Sequence, residues 1–132
     1  MAINVLIVDD SGVMRAMIQK TMKLSGIKLG EIHQAANGRE GIELLERQWI
    51  DLVIVDINMP VMTGEEMIER MQANANLKTI PTIVISTEGS QTRIDRLQDK
   101  GVRFIHKPFS PEMIRDTVKE VLGSEVFHER SQ

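Results

Sequence analysis

The sequence predicts an α/β protein built on one doubly wound, five-stranded parallel sheet. Five short apolar runs with strand character recur along the chain, amphipathic segments separate them, and polar residues of definite chemistry stand directly behind four of the runs. Strands that alternate with helices give βαβ units, right-handed crossovers and helices on both faces of a parallel sheet. One domain is the natural reading of 132 residues. A chain of this length buries roughly two-thirds of its surface on folding and needs no staple. The domain is read as 1–123, with a short polar tail over 124–132.

The central element is Leu52 to Val55, inside the stretch Asp51 to Pro60. It is continuous, apolar and too short for a self-supporting helix, as expected of a strand buried on both faces. Ile3 to Val8 is a second such strand and stops at Asp9-Asp10-Ser11. Behind it Met14, Ile18, Met22 and Ser25 fall at helical spacing, with Gly26 as the stop. Glu31 to Ala36 is polar enough for an edge strand, and Asn37-Gly38-Arg39-Glu40 has the pattern of a capping box opening a helix that buries Ile42, Leu45 and Trp49. Thr63-Gly64-Glu65-Glu66 is a better box, followed by the apolar stripe Met67, Ile68 and Met71.

Ile80 to Ile85 is a fourth strand, with Pro81 near its start, and it runs into Ser86-Thr87-Glu88-Gly89-Ser90. Gln91 to Lys100 offers only Ile94 and Leu97 as apolar anchors and is expected to be a weakly held, mobile fourth helix. Val102 to His106 is the fifth strand and Lys107-Pro108-Phe109 closes it. Ser110 caps and Pro111 starts a last helix whose Ile114, Val118, Val121 and Leu122 face inward. The tail beyond Gly123 is expected to fray. With the polar strand at one edge and Leu52 to Val55 innermost, the order 2-1-3-4-5 is favoured, and it sets the ends of strands one and three side by side.

Composition narrows the function. The absence of cysteine excludes disulfides and thiolate metal sites and fits a reducing compartment. Sixteen basic against 19 acidic residues, a net charge of −3, argue against the phosphate-backbone binding of a basic domain, so nucleic acid is not an expected partner. No signal peptide or 18-residue apolar run is recognisable, so no membrane partner is expected and the cytoplasm is the expected location. His33, His106 and His128 share no metal-ligand spacing, and the nine methionines read as core filler.

In the order 2-1-3-4-5, Asp9, Asp10 and Asp56 converge, while Ser86 and Lys107 reach the same rim. Three neighbouring carboxylates cannot all stay ionised without a cation, and an all-oxygen site suits Mg²⁺, or Mn²⁺. With the ion on Asp10 and Asp56, a second Asp56 oxygen can attack phosphorus, and the charge of the aspartyl phosphate is then shared by the metal, Lys107 and the Ser86 hydroxyl. Each piece alone has a structural reading: Asp9-Asp10-Ser11 as a cap, Asp56 as a turn, Ser86-Thr87 as a cap or loop, Lys107-Pro108 as a plain turn. Their joint placement at four separate strand ends makes the set a candidate site.

Taken together, Val8-Asp9-Asp10, Val55-Asp56 with Asn58-Met59-Pro60, Ile85-Ser86 and Lys107-Pro108-Phe109 resemble the receiver domains of two-component signalling, specifically the stand-alone chemotaxis CheY type, over nearly the whole chain. The resemblance implies the flavodoxin-like (βα)5 fold and phosphorylation of Asp56 by a CheA-like histidine kinase. It further implies Mg²⁺ held by Asp10, Asp56 and the Asn58 backbone carbonyl with Asp9 assisting through water, and a Ser86/Phe104 switch. Asn58 and Glu88 match positions that tune dephosphorylation. A monomer that signals by binding is expected, its partner a flagellar motor switch or other effector protein, with a phosphatase as a further partner.

Thr87-Glu88-Gly89 departs from the family pattern, in which a small residue follows the hydroxyl, and Gly89 is expected to loosen the start of the fourth helix. Two rivals remain open. One is a phosphorylation-independent binding module of the same fold. The other is a haloacid-dehalogenase-like phosphatase, disfavoured because Asn58 stands where that chemistry needs a second Asp as general acid.

Overall fold

The apolar runs at 3–8, 52–55 and 82–86 become strands because both of their faces are covered. The computed structural model describes residues 1–129. Its elements are β1 (Ile3–Val8), α1 (Gly12–Leu24), β2 (Leu29–Ala35), α2 (Gly38–Arg47), β3 (Leu52–Val55), α3 (Gly64–Gln72), β4 (Thr82–Ser86), α4 (Gln91–Asp99), β5 (Arg103–His106), α5 (Pro111–Leu122) and a short 3₁₀ helix, Ser124–Val126. The strands form one sheet in the order β2-β1-β3-β4-β5, and every neighbouring pair is parallel. This is the flavodoxin-like (βα)5 fold that the sequence predicts.

Because successive side chains of a strand point to opposite faces, the strands feed two cores. Leu6, Val8, Val53, Val55 and Val84 pack with Leu45 of α2, Met67, Ile68 and Met71 of α3 and Leu97 of α4. On the other face Val5, Ile7, Ile54, Ile83, Ile85 and Ile105 pack with Ile18 and Met22 of α1 and Ile114 and Val118 of α5.

The helix starts follow the sequence signals. Ser11, Thr63, Ser90 and Ser110 each accept a backbone N–H of the first turn, and Thr63 with Glu66 completes a reciprocal box. At α2 the Asn37 side chain accepts the Glu40 N–H, but the Glu40 carboxylate reaches back to the Ala36 N–H at 3.1 Å rather than to Asn37's. Gly89 does not leave α4 loose at its start, since the Glu88 carboxylate accepts the Ser90 N–H at 3.0 Å and Ser90 caps the helix.

Three expectations are corrected. Trp49 is 79% exposed, not core. Helix α2 ends at Arg47, so helical spacing no longer governs Trp49; Ile50 takes the buried place instead, and the indole N–H donates to Asp51 Oδ1 at 3.0 Å. The fourth strand begins at Thr82 rather than Ile80. The Ile80 N–H closes a turn on the Leu77 carbonyl at 3.1 Å, and Pro81, lacking an N–H, contributes only its carbonyl, which accepts from Val53 N at 3.0 Å.

The tail, expected to fray, is docked as far as it is described. Val126 is 3% exposed, Lys28 N donates to the Val126 carbonyl at 2.7 Å, and Phe127 bridges Ile27 in antiparallel fashion. Two apolar residues in a short polar stretch are enough to seat it. The part of the tail over 130–132 lies outside the described residues.

Helix α4 buries Ile94 and Leu97 as expected, and polar anchors join them. Arg96 forks onto Glu65 of α3, with Nε at 2.6 Å and Nη2 at 3.1 Å from the two carboxylate oxygens. Arg93 Nη1 donates to Glu88 Oε1 at 2.9 Å, and its Nε lies 3.5 Å from Glu65 Oε1.

A core tryptophan costs about 3–5 kcal/mol on truncation to alanine. Trp49→Ala is expected to cost less than about 1 kcal/mol in urea denaturation; a loss in the core range would contradict the exposed placement.

Candidate functional site

Parallel pairing decides which side chains meet. Val8 is in register with Val55, so the next residues, Asp9 and Asp56, leave the sheet side by side. Asp9 N donates to the Ala35 carbonyl at 3.1 Å and Asp56 N to the Val8 carbonyl at 2.9 Å, fixing both exits. Ser86 is in register with His106, and Lys107 N donates to the Ser86 carbonyl at 3.0 Å. The five predicted residues therefore stand on one rim.

One ammonium ties two of the carboxylates, Asp9 and Asp56. Lys107 Nζ donates to Asp56 Oδ2 at 2.9 Å and to Asp9 Oδ2 at 3.1 Å. Asp9 is 1% exposed; its Oδ1 accepts the Ser11 N–H at 2.9 Å and its carbonyl accepts from Arg15 Nη1 at 2.6 Å. Asp56 is half-buried, and its Oδ1 accepts the Ile57 N–H at 2.7 Å. Asp10 is exposed, and each of the three acids offers an oxygen within 4.8 Å of the others. Ser86 is fully buried, with its Oγ accepting the Glu88 N–H at 3.2 Å. Phe104 is half-buried on β5 and meets His106 edge-on at 4.7 Å.

The loop behind Asp56 is folded tightly against it. Gly64 N donates to the Ile57 carbonyl at 2.8 Å. A Cβ on Gly64 would lie 2.0 Å from the Asp56 carbonyl oxygen, so only glycine lets α3 begin there. Val61 adopts φ 67° inside a turn closed by Met62 N on the Pro60 carbonyl at 2.7 Å, a conformation that is strained for a β-branched residue.

Burial pushes the Asp9 carboxyl above its usual value; the Ser11 N–H and Lys107 pull it down without prevailing, and the charge of Asp56 adds to the rise. For Lys107 burial opposes the charge, but the bonds to Asp56 and Asp9 outweigh it and hold the ammonium above its ordinary value. The asymmetry is physical: Lys107 gains from two carboxylates, whereas Asp9 has only a share of one ammonium. One ammonium against three carboxylates leaves the cluster net negative, and a hard, all-oxygen donor set of this kind fits Mg²⁺ or Mn²⁺.

Chemistry rather than cavity size marks this site. An apolar cavity of about 640 Å³ lies at the opposite end of the sheet, bordered by Ile50, Pro81 and Val126. A smaller groove of about 310 Å³, lined by Met14, Met17, Lys107 and Phe109, opens beside the acidic cluster.

The family model of the response regulator receiver domain matches residues 5–119. The chain belongs to this family. This receiver is 32% identical over 123 residues to the chemotaxis protein CheY homolog of Campylobacter jejuni (strain 81-176), covering 92% of this chain and 93% of that protein. It is 33% identical over 123 residues to chemotaxis protein CheY1 of Helicobacter pylori (strain J99), covering 92% and 98%. The solved structure of Vibrio cholerae chemotaxis protein CheY4 matches with a TM-score of 0.80 at 33% identity, covering 92% of this receiver and all of that chain. The receiver is thus of the CheY type. Among the described residues no helix is long and apolar enough to cross a membrane.

The remaining predicted residues, Asn58 and Glu88, meet at an arginine that sequence reasoning missed. Arg93 Nη1 bonds Glu88 and reaches Asn58 Oδ1 at 3.5 Å. The partners Asn58 and Glu65 of Arg93 and Arg96 lie on other elements, so no local sequence signal points to them.

Because the folded value of Asp9 is raised, the stability contributed by its protonated form is fully present below the ordinary aspartate value and is lost as pH rises through the higher folded value. In cation-free buffer Asp9→Asn is expected to exceed the parent in stability at pH 7, with the gap closing as pH falls to the ordinary aspartate range. Urea denaturation across that range checks this; a less stable variant at pH 7 would contradict it.

Proposed function

We propose that this receiver accepts a phosphoryl group on Asp56 from a histidine kinase and that the phosphorylated form binds its partner through the α4-β5-α5 face. The observation that carries this reading is the Lys107 ammonium bridging Asp56 and Asp9 within a three-carboxylate cluster.

An Asp56 oxygen attacks phosphorus, the bond from phosphorus to the imidazole nitrogen of the kinase phosphohistidine breaks, and the imidazole leaves in line. Asp10, Asp56 and the Asn58 carbonyl, with Asp9 through water, would hold Mg²⁺, which neutralises charge on the transferring oxygens when bound. Lys107 follows the acceptor oxygens with its own charge, and the Ser86 hydroxyl donates to a phosphoryl oxygen. Phe104 turns inward as Ser86 moves, and Asn58 and Glu88 set the lifetime of the product. By similarity to the chemotaxis relatives, the donor is a CheA-like kinase and the target a flagellar motor switch or another effector protein, with a phosphatase as a further partner. The receiver acts as a cytoplasmic monomer.

A haloacid-dehalogenase-like phosphatase is disfavoured by Asn58, and a phosphorylation-independent binding module leaves the Lys107 bridge without a use.

Acetyl phosphate with Mg²⁺ is expected to add one phosphoryl mass to the parent and none to Asp56→Asn, as read by intact-protein mass spectrometry. Mass addition to both, or to neither, contradicts the acceptor assignment, and steady turnover of phosphate monoesters would favour the phosphatase.

A further inference from the structure

Helix α4 is attached by few apolar side chains and by one connected ionic chain. At one end of the chain is Glu65, whose place is fixed relative to the acceptor: it follows Gly64, whose N–H bonds the Ile57 carbonyl at 2.8 Å and where a Cβ would meet the Asp56 carbonyl oxygen at 2.0 Å. Glu65 is half-buried, grips Arg96 with both oxygens, and lies 3.5 Å from Arg93 Nε. At the other end is Glu88, whose carboxylate bonds Arg93 at 2.9 Å and the Ser90 N–H at 3.0 Å. The backbone N–H of Glu88 in turn donates to Ser86 Oγ at 3.2 Å. Arg93 is thus shared between an anchor on α3 and a loop attached to the Ser86 hydroxyl.

Resting on the acceptor reading above, we propose that Glu65, with Arg96 and Arg93, forms a latch that holds α4 against α3 in the unphosphorylated receiver and opposes its displacement on phosphorylation. When Ser86 Oγ is drawn to a phosphoryl group on Asp56, the Glu88 loop follows it, and Arg93 cannot keep both carboxylates. Its 3.5 Å contact with Glu65 is the longer of its two and is lost first, and displacement of α4 from α3 then breaks the Arg96 fork as well. A bidentate arginine on a shielded carboxylate within a network is the setting in which a surface ion pair has measurable weight. Interactions present only in the resting state reduce the apparent affinity for whatever selects the other state. Glu65 and Arg96 touch none of the acidic cluster, so they act through the position of α4 and not on the reacting atoms.

The test uses the full chain with beryllofluoride and Mg²⁺. Glu65→Gln and Arg96→Gln are each expected to lower the beryllofluoride concentration at half-saturation about two- to fivefold. Amide exchange over 91–99 in the unliganded variants should quicken by a similar factor. The double variant should do no more than either single one, because the two side chains act as one unit. Arg96 is half exposed, so Arg96→Gln tests the latch without a folding penalty even where Glu65→Gln disturbs the first turn of α3. Variants that match the parent in both readouts, or that bind beryllofluoride more weakly, overturn the latch while leaving the acceptor reading standing. A parent that takes up no beryllofluoride overturns the acceptor reading, and the latch with it.

Discussion

The structure depends on one shared proton-rich group: the Lys107 ammonium placed between the carboxylates of Asp56 and Asp9. An ionised carboxylate that is 1% exposed is costly unless something compensates it. The sheet order supplies the compensation. Only when β1 lies beside β3, with β4 and β5 following in turn, do the residues after β1 and β3 come within reach of the lysine that follows β5. The lysine is insufficient for three acids, and this shortfall of positive charge leaves a set of carboxylate oxygens that could hold a divalent cation.

The same rim is tied to α3 and to the β4–α4 loop through backbone bonds rather than through a separate device. Gly64 seats α3 against the peptide of Asp56, and the Glu88 N–H seats the β4–α4 loop against Ser86. The rim is therefore tied to two neighbouring helices. One, α3, is fixed by close backbone contact and a buried apolar stripe, Met67, Ile68 and Met71. The other, α4, has Ile94, Leu97 and a set of ion pairs. Elements with few buried anchors are the ones that a small bias can move.

How much of this was legible in the sequence follows from what kind of physics set each feature. The strands Ile3–Val8 and Leu52–Val55 were readable to the residue because a strand buried on both faces must be continuously apolar. The caps at Thr63 and Ser110 were readable because a local hydrogen bond needs a local residue type. The convergence of Asp9, Asp10, Asp56, Ser86 and Lys107 was readable once the strand order was chosen. Trp49 was misplaced because helical spacing was extended past the real end of α2, and the tail because Val126 and Phe127 find their partners in a turn more than ninety residues away in sequence, Gly26 to Lys28. Arg93 and Arg96 were passed over for the same reason: their partners, Glu65 and Asn58, lie on other elements, and periodicity within one helix carries no information about them.

The most direct test of the account is calorimetric titration of Mg²⁺ into the phosphate-free receiver at neutral pH, with Asp10→Asn as the control because Asp10 belongs to the cluster yet lies outside the Lys107 bridge. The account predicts one saturable site in the parent and binding weakened by about tenfold or more in the variant. No saturable binding in the parent, or equal binding in both proteins, would contradict it.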